Sequence, residues 1–75
     1  MSVSNVMIHI NESLGEQARA TLEDSMRKVE GVISPRFNAG KEHLLMVAFD
    51  PKVTSAAVLL EATRAAGYTA QLVGM

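Results

Sequence analysis

The chain has 75 residues, enough for one small domain, and its 48% apolar and 20% charged residues exclude a disordered tail. The net charge is −1, without the basic excess that nucleic-acid binding normally requires. The chain has no cysteine, which excludes disulfides, thiolate catalysis and cysteine-based zinc or iron–sulfur sites.

The sequence carries neither a membrane-spanning segment nor a recognisable leader. Every stretch without a charged residue is too short or too polar to cross a bilayer. Residues 1–5 lack the basic stretch and apolar stretch of a secretory signal. We therefore expect a cytoplasmic protein.

The first half of the chain predicts a strand, a helix and a second strand. Residues 3–10 alternate, with Val6, Ile8 and Ile10 on one face. Ser13 and Glu16 have the spacing of a capping box, which predicts Ser13 as the N-cap of a helix that ends near residue 29. The helix should bury one apolar stripe and end at Gly31 as its left-handed cap; the stripe contains Leu14, Ala18, Leu22, Met26 and Val29.

The first half ends with residues 32–38, which predict an edge strand because Pro35 cannot donate a hydrogen bond to a sheet. The second half repeats the strand–helix–strand pattern at similar length. A turn at 39–42 leads to a third strand at 43–49. Thr54 is the expected N-cap of a helix that runs to about residue 66, Gly67 follows it, and residues 68–73 form the last strand.

The element order is therefore βαββαβ, which predicts an α+β domain with the ferredoxin-like fold over residues 1–75. In this arrangement a four-stranded antiparallel sheet carries two helices on one face. The first and third strands lie in the centre of the sheet, and the second and fourth lie at its edges.

Three segments, Val29-Glu30-Gly31-Val32, Val47-Ala48-Phe49-Asp50-Pro51 and Ala65-Ala66-Gly67-Tyr68-Thr69-Ala70, carry a family likeness. Their spacing resembles the heavy-metal-associated domain found in small copper chaperones and in N-terminal modules of copper ATPases. The likeness covers nearly the whole chain. It implies the ferredoxin-like fold and a habit of docking onto a like-folded partner.

The resemblance also implies a metal loop at the start of the first helix, with the family pattern Gly-Met-x-Cys-x-x-Cys. Counted back from Gly31, the two cysteine positions are Gly15 and Ala18, and the methionine position is Ser13. Tyr68 matches a tyrosine that lies beside this loop in many relatives. Because Cu(I) is held by thiolates, the resemblance does not imply Cu(I) binding here, and we expect no cofactor.

The face of the sheet away from the helices is the first candidate interaction surface. Alternation gathers there a compact apolar patch, which we call the open-face patch: Met7, His9, Leu44, Met46 and Ala48. Polar residues surround it. Methionines adapt to different partners, so the patch predicts a protein interface, either with a different protein or in a homodimer.

A second candidate is a metal site without thiolates. The ligands available near the start of the first helix and on the strands are His9, His43, Glu12 and Glu16. No nucleophile and base have a spacing that favours catalysis, so we expect no enzyme.

The sequence thus predicts a non-enzymatic heavy-metal-associated-type domain whose thiolate site is lost, acting as an interaction or regulatory module in a metal-handling or related system. The interface is the open-face patch or the metal-loop end, and neither nucleic acid nor a membrane is the partner. The alternative is a small carrier that binds or transports a metal through a His/carboxylate site.

Overall fold

The computed structural model describes residues 2–73. The elements are β1 (Ser4–Ile10), α1 (Glu16–Arg27), β2 (Val32–Asn38), β3 (Lys41–Phe49), α2 (Ala56–Ala65) and β4 (Ala70–Leu72). The antiparallel sheet has the order β2-β3-β1-β4, so the ferredoxin-like prediction is confirmed.

The core lies between one face of the sheet and the two helices. Each central strand buries alternate residues, as a sheet covered on one side requires. Within α1 the predicted stripe is correct, because Leu22 and Met26 are buried and Ala18 packs against the core. Leu14 and Val29 also reach the core, but they lie outside the helix. The side chains with 6% exposure or less include Val6, Ile8, Ile10, Leu14, Leu45, Val47, Phe49 and Leu59.

One polar side chain is fully enclosed by this apolar core. Thr63 lies on α2, and its hydroxyl donates a hydrogen bond to the Leu59 carbonyl at 3.0 Å. The same oxygen lies 3.8 Å from the Met26 sulfur on α1. The hydroxyl therefore has a partner within its own helix, which offsets the cost of removing it from water.

The edge strand β2 is irregular, and α1 holds it in place. Phe37 and Asn38 are neighbours in β2, yet they pair with Leu45 and Lys41 of β3, so three residues of β3 are left over between them. Such a bulge breaks the alternation of side chains. The Phe37 N–H donates to the Glu23 carboxylate of α1 at 2.8 Å, which joins the helix to this edge.

The predicted helix caps differ from those observed. Gly15, not Ser13, is the N-cap of α1, and no side chain caps this end, so the capping box is wrong. The chain stays outside the helix long enough for Leu14 to enter the core, and tertiary packing overrides the local motif. In α2 the N-cap is Ser55, whose hydroxyl accepts from the Val58 N–H, whereas Thr54 is buried.

Gly31 has the expected left-handed backbone, with φ of +93°, but it does not cap α1. The C-cap is Lys28, and Gly31 instead lies in the turn that enters β2. Its carbonyl accepts a hydrogen bond from the Asp50 N–H at 2.8 Å. A Cβ at this glycine would lie 2.9 Å from side-chain carbons of Thr54 and Val53, closer than van der Waals contact.

We therefore expect Gly31→Ala to lower the free energy of unfolding by about 2–4 kcal/mol, the sum of a left-handed penalty and a steric one. Gly40 is the matched control, because it has φ of +79° but open space where a Cβ would lie. Gly40→Ala should cost only about 1–2 kcal/mol. Chemical denaturation of both variants measures the difference, and equal losses would contradict a steric role for Val53 and Thr54.

Candidate functional site

The loop before α1 is fastened to the segment that precedes β4. The Asn11 N–H donates to the Thr69 carbonyl at 2.9 Å. In return the Thr69 N–H donates to both oxygens of the Glu12 carboxylate, at 2.9 and 3.1 Å. The Thr69 N–H, with a smaller contribution from the backbone of Glu12 itself, lowers the pKa of this carboxyl group.

The same loop is also held from its helical side. Leu14 is buried, and its carbonyl accepts a hydrogen bond from the Arg19 guanidinium at 2.6 Å. Such a charged donor makes a stronger hydrogen bond than a neutral one. Protein groups alone therefore fix the path of the loop from residue 11 to the first turn of α1.

Two of the positions that the resemblance assigns to a metal loop lie at the start of α1. Gly15 is the N-cap of α1, and Ala18 is the third residue of the helix, so both lie at one helix end. Ser13 and Gly15 are exposed, while Ala18 and Tyr68 are half-buried and pack against the core. Neither Gly15 nor Ala18 offers a donor atom in its side chain, and the loop does not fit a soft ion such as Cu(I).

The open-face patch is assembled by the pairing of the two central strands. Met7 pairs with Met46, and His9 pairs with Leu44, so these residues are neighbours on one face. All five members of the patch are half-buried. Its role as an interface stays a prediction.

A shallow depression adjoins the patch. It has a volume of about 120 Å³ and is lined by Asn5, Ser34, Arg36, Met46 and Ala48. The Asn38 amide donates to the Met46 sulfur at 3.2 Å, which orients this side chain at the edge of the depression. The face therefore combines apolar groups with a few polar groups that could orient a bound partner.

The rings of His9 and His43 are stacked. Their ring centroids are 5.8 Å apart and their planes differ by 14°. Strict alternation from the buried Leu45 would place His43 on the helix side of the sheet. The bulge in β3 removes that constraint, and the His43 ring lies beside His9 instead.

Hydrogen bonds to the rest of the protein hold both rings. His43 Nδ1 lies 2.7 Å from the Ile10 carbonyl oxygen. His9 Nδ1 lies 2.7 Å from the Gln71 amide nitrogen, which also donates to Asn11 Oδ1 at 3.0 Å. Sequence reasoning missed Asn11 and Gln71, because the sequence does not show which distant side chains the tertiary fold places beside His9.

The four ligands proposed from the sequence do not form one metal site. Over residues 2–73, no group of three or more histidine, cysteine, aspartate or glutamate side chains could hold a metal ion. Glu12 is bound to Thr69, and Glu16 is exposed in the first turn of α1. The structure therefore brings together the two histidines of that set without the carboxylates.

The helices of the described region do not resemble membrane spans. Between residues 2 and 73, neither helix is both long and apolar enough to cross a bilayer.

No protein-family model matches the chain, and no curated protein matches it in sequence. Solved structures do match its fold. Oxidized MerP from Ralstonia metallidurans CH34 is 25% identical, with a TM-score of 0.82 over 95% of this chain and 97% of that chain. The N-terminal domain of a potential copper-translocating P-type ATPase from Bacillus subtilis, in the Cu(I)-loaded state, is 24% identical, with a TM-score of 0.82 over 95% and 88% of the two chains.

The apo form of the Enterococcus hirae copper chaperone gives the same result. It is 20% identical, with a TM-score of 0.80 over 91% of this chain and 98% of that chain. The chain therefore resembles heavy-metal-associated and copper-chaperone domains in fold over nearly its whole length, and it contains no cysteine.

The Glu12 hydrogen bonds predict a pH dependence of stability. A carboxyl group whose pKa is lowered by folding stabilises the folded state above its unfolded pKa, and this contribution is lost as the pH falls through the folded pKa. We expect Glu12→Gln to reduce the loss of stability on acidification. Denaturation midpoints between neutral and acidic pH measure the effect. Glu16→Gln, which removes a nearby exposed carboxylate, is the control, and the same change in both variants would contradict a role for the Thr69 contact.

Proposed function

We propose that this chain is a non-enzymatic interaction or regulatory module, derived from a metal-binding domain, that works by protein contact in a metal-handling or related system in the cytoplasm. The observation that carries the proposal is the combination of a retained fold with Gly15 and Ala18 at the two thiolate positions. Because a fold alone does not establish a function, the chemistry available at each candidate surface decides between the alternatives.

The loop before α1 supports this proposal because protein groups hold it on both sides. Glu12 accepts hydrogen bonds from Thr69, and Arg19 donates to the Leu14 carbonyl. A loop held by these contacts needs no ion to fix its shape. It can therefore serve as a docking surface at the metal-loop end even though its soft ligands are absent.

The open-face patch is the stronger of the two candidate interfaces. It consists of adjacent apolar side chains on the two central strands, and those of Met7 and Met46 can adjust to the shape of a partner. The neighbouring depression places Arg36 and Asn5 beside this apolar surface. Interfaces commonly combine an apolar centre and a polar rim in this way.

In its simplest form the proposal predicts self-association through the open face. We expect Met46→Glu to abolish it, because a carboxylate would have to be buried at the centre of the contact. Val58→Glu is the matched control, since Val58 is 49% exposed on α2 and the helices cover the other face of the sheet.

Sedimentation velocity over a wide concentration range measures the mass, and concentration-dependent amide shifts identify the surface. Association of the parent chain and of the Val58 variant, with shifts in β1 and β3, supports the proposal. Shifts confined to residues 12–18 and 68 would assign the contact to the metal-loop end. A monomer at every concentration would reject the homodimer.

The loss of the thiolate site has its own test, a Cu(I) titration against a competing chelator. We expect the chain to leave Cu(I) with the chelator. The double variant Gly15→Cys, Ala18→Cys should gain tight Cu(I) binding, because it restores two thiolates at one helix end. Tight Cu(I) binding by the parent chain would contradict the proposal. If the double variant does not bind Cu(I), the loop does not hold the two cysteines in the geometry that a Cu(I) site requires.

A carrier with a non-thiolate site is the second candidate. The observation that favours it is the contact between the His9 and His43 rings. Within residues 2–73, neither Glu12 nor Glu16 joins the two histidines in a group that could hold a metal ion.

A further inference from the structure

The depression on the open face is formed where a small side chain lies between larger ones. Ala48 of β3 pairs with Asn5 of β1 on one side and with Ser34 of β2 on the other, so these side chains form a row across the sheet. Arg36 and Met46, which pair in the next row, form a wall beside it. The volume is about 120 Å³. Since a water molecule takes about 30 Å³ in the liquid, the depression has room for roughly four water-sized groups.

The polar groups that line this depression can all donate hydrogen bonds. The Arg36 guanidinium can only donate, and the Asn5 amide and the Ser34 hydroxyl can donate as well. These three side chains are exposed, so they can turn toward a ligand. Within residues 2–73, none of the side chains that line the depression carries a carboxylate. The lining therefore favours an anion with several acceptor oxygens.

The Arg36 guanidinium is available for such an anion. The chain has four arginines, and three of them donate to protein acceptors: Arg19 to a backbone carbonyl, and Arg27 and Arg64 to carboxylates of their own helices. Within residues 2–73, Arg36 has no such acceptor. The planar fork of N–H groups in a guanidinium matches the two oxygens of a carboxylate, and the hydrogen bonds between them are stronger than neutral ones.

Apolar groups form the rest of the lining. Met46 and Ala48 are half-buried, and the Met46 sulfur accepts a hydrogen bond from the Asn38 amide at 3.2 Å, which orients that side chain. An alkyl group that lies on this surface is removed from water, and its burial stabilises the complex. A wholly polar anion such as inorganic phosphate gains nothing from the same surface. The depression therefore suits a carboxylate that carries a short apolar chain.

We propose that the depression is a binding site for the anion of a short-chain monocarboxylic acid. Arg36 binds the carboxylate, Asn5 and Ser34 donate to its remaining acceptor positions, and the alkyl chain lies on Met46 and Ala48. The depression has room for a small acid of this kind and no more. The site shares two residues with the open-face patch, but it does not depend on the proposed contact with a protein partner.

The test is a titration of the untagged chain with sodium propionate at constant ionic strength, at a dilution at which the chain sediments as a monomer. Backbone amide signals and the Arg36 Nε–H signal report binding, and we expect saturable shifts in β1, β2 and β3 around the depression. Propionamide has the same shape without the charge, so it should bind at least about tenfold more weakly. Inorganic phosphate, which has no alkyl group, should also bind more weakly than propionate.

Two variants separate a built site from a general attraction to positive charge. Arg36→Gln should weaken propionate binding at least about tenfold, because the charged donor is lost. Arg27→Gln is the control, since it removes an exposed arginine on α1, and it should keep the parent affinity. Ala48→Leu retains Arg36 but fills the depression, and it should abolish saturable binding. Arg36 and Ala48 both lie on the face away from the helices, so these variants should fold, and their amide spectra check this.

The site would be overturned by shifts that rise without saturation, by equal binding of propionate and propionamide, or by parent affinity in Arg36→Gln or Ala48→Leu. Phosphate binding as tight as that of propionate would overturn the assignment to a carboxylate. None of these results bears on the sedimentation of the parent chain without propionate or on the Cu(I) titration. Failure of this inference and failure of the proposed function are therefore distinguishable.

Discussion

The antiparallel pairing of β1 with β3 is the constraint on which the rest of this structure depends. Its register runs from Ser4 opposite Phe49 to His9 opposite Leu44. Side chains alternate between faces along both strands, so one register fixes the core and the open face at once. Val6, Ile8 and Val47 become the floor of the core, while Met7 and Met46 meet on the other face. A shift by one residue would exchange the two faces and expose the apolar set to water.

Much of this architecture could be predicted, because strong periodicity and turn residues act locally. The bounds of β2 and the edge position of Pro35 follow from the sequence, since a residue without an N–H cannot occupy a central strand. The N-caps of the two helices could not be predicted from local motifs, because the burial of neighbouring side chains decides where each helix begins. Leu14 enters the core and delays α1 to Glu16. The sequence indicated which residues belong to each candidate site. It did not indicate that Gln71 lies beside His9, because the two residues are 62 positions apart along the chain.

The loop before α1 is held in place without thiolate ligands. In a thiolate site the bound ion ties the loop to the helix end, and that tie is not available to Gly15 and Ala18. Here the ties are made by protein groups, with Glu12 bound to Thr69 on one side and Arg19 bound to Leu14 on the other. The buried Leu14 side chain adds an apolar contact at the same place. These contacts keep the shape of the loop independent of any ion.

Strand pairing in the sheet also brings together side chains that are distant in the sequence. His9 and His43 are far apart in sequence, and only the pairing of the central strands with a bulge in β3 brings their rings to 5.8 Å. His9 belongs to the open-face patch, and its ring is held from the other side by Gln71 of β4, which also donates to Asn11. One end of the open face is therefore built by side chains from three strands, and only the tertiary fold brings them together.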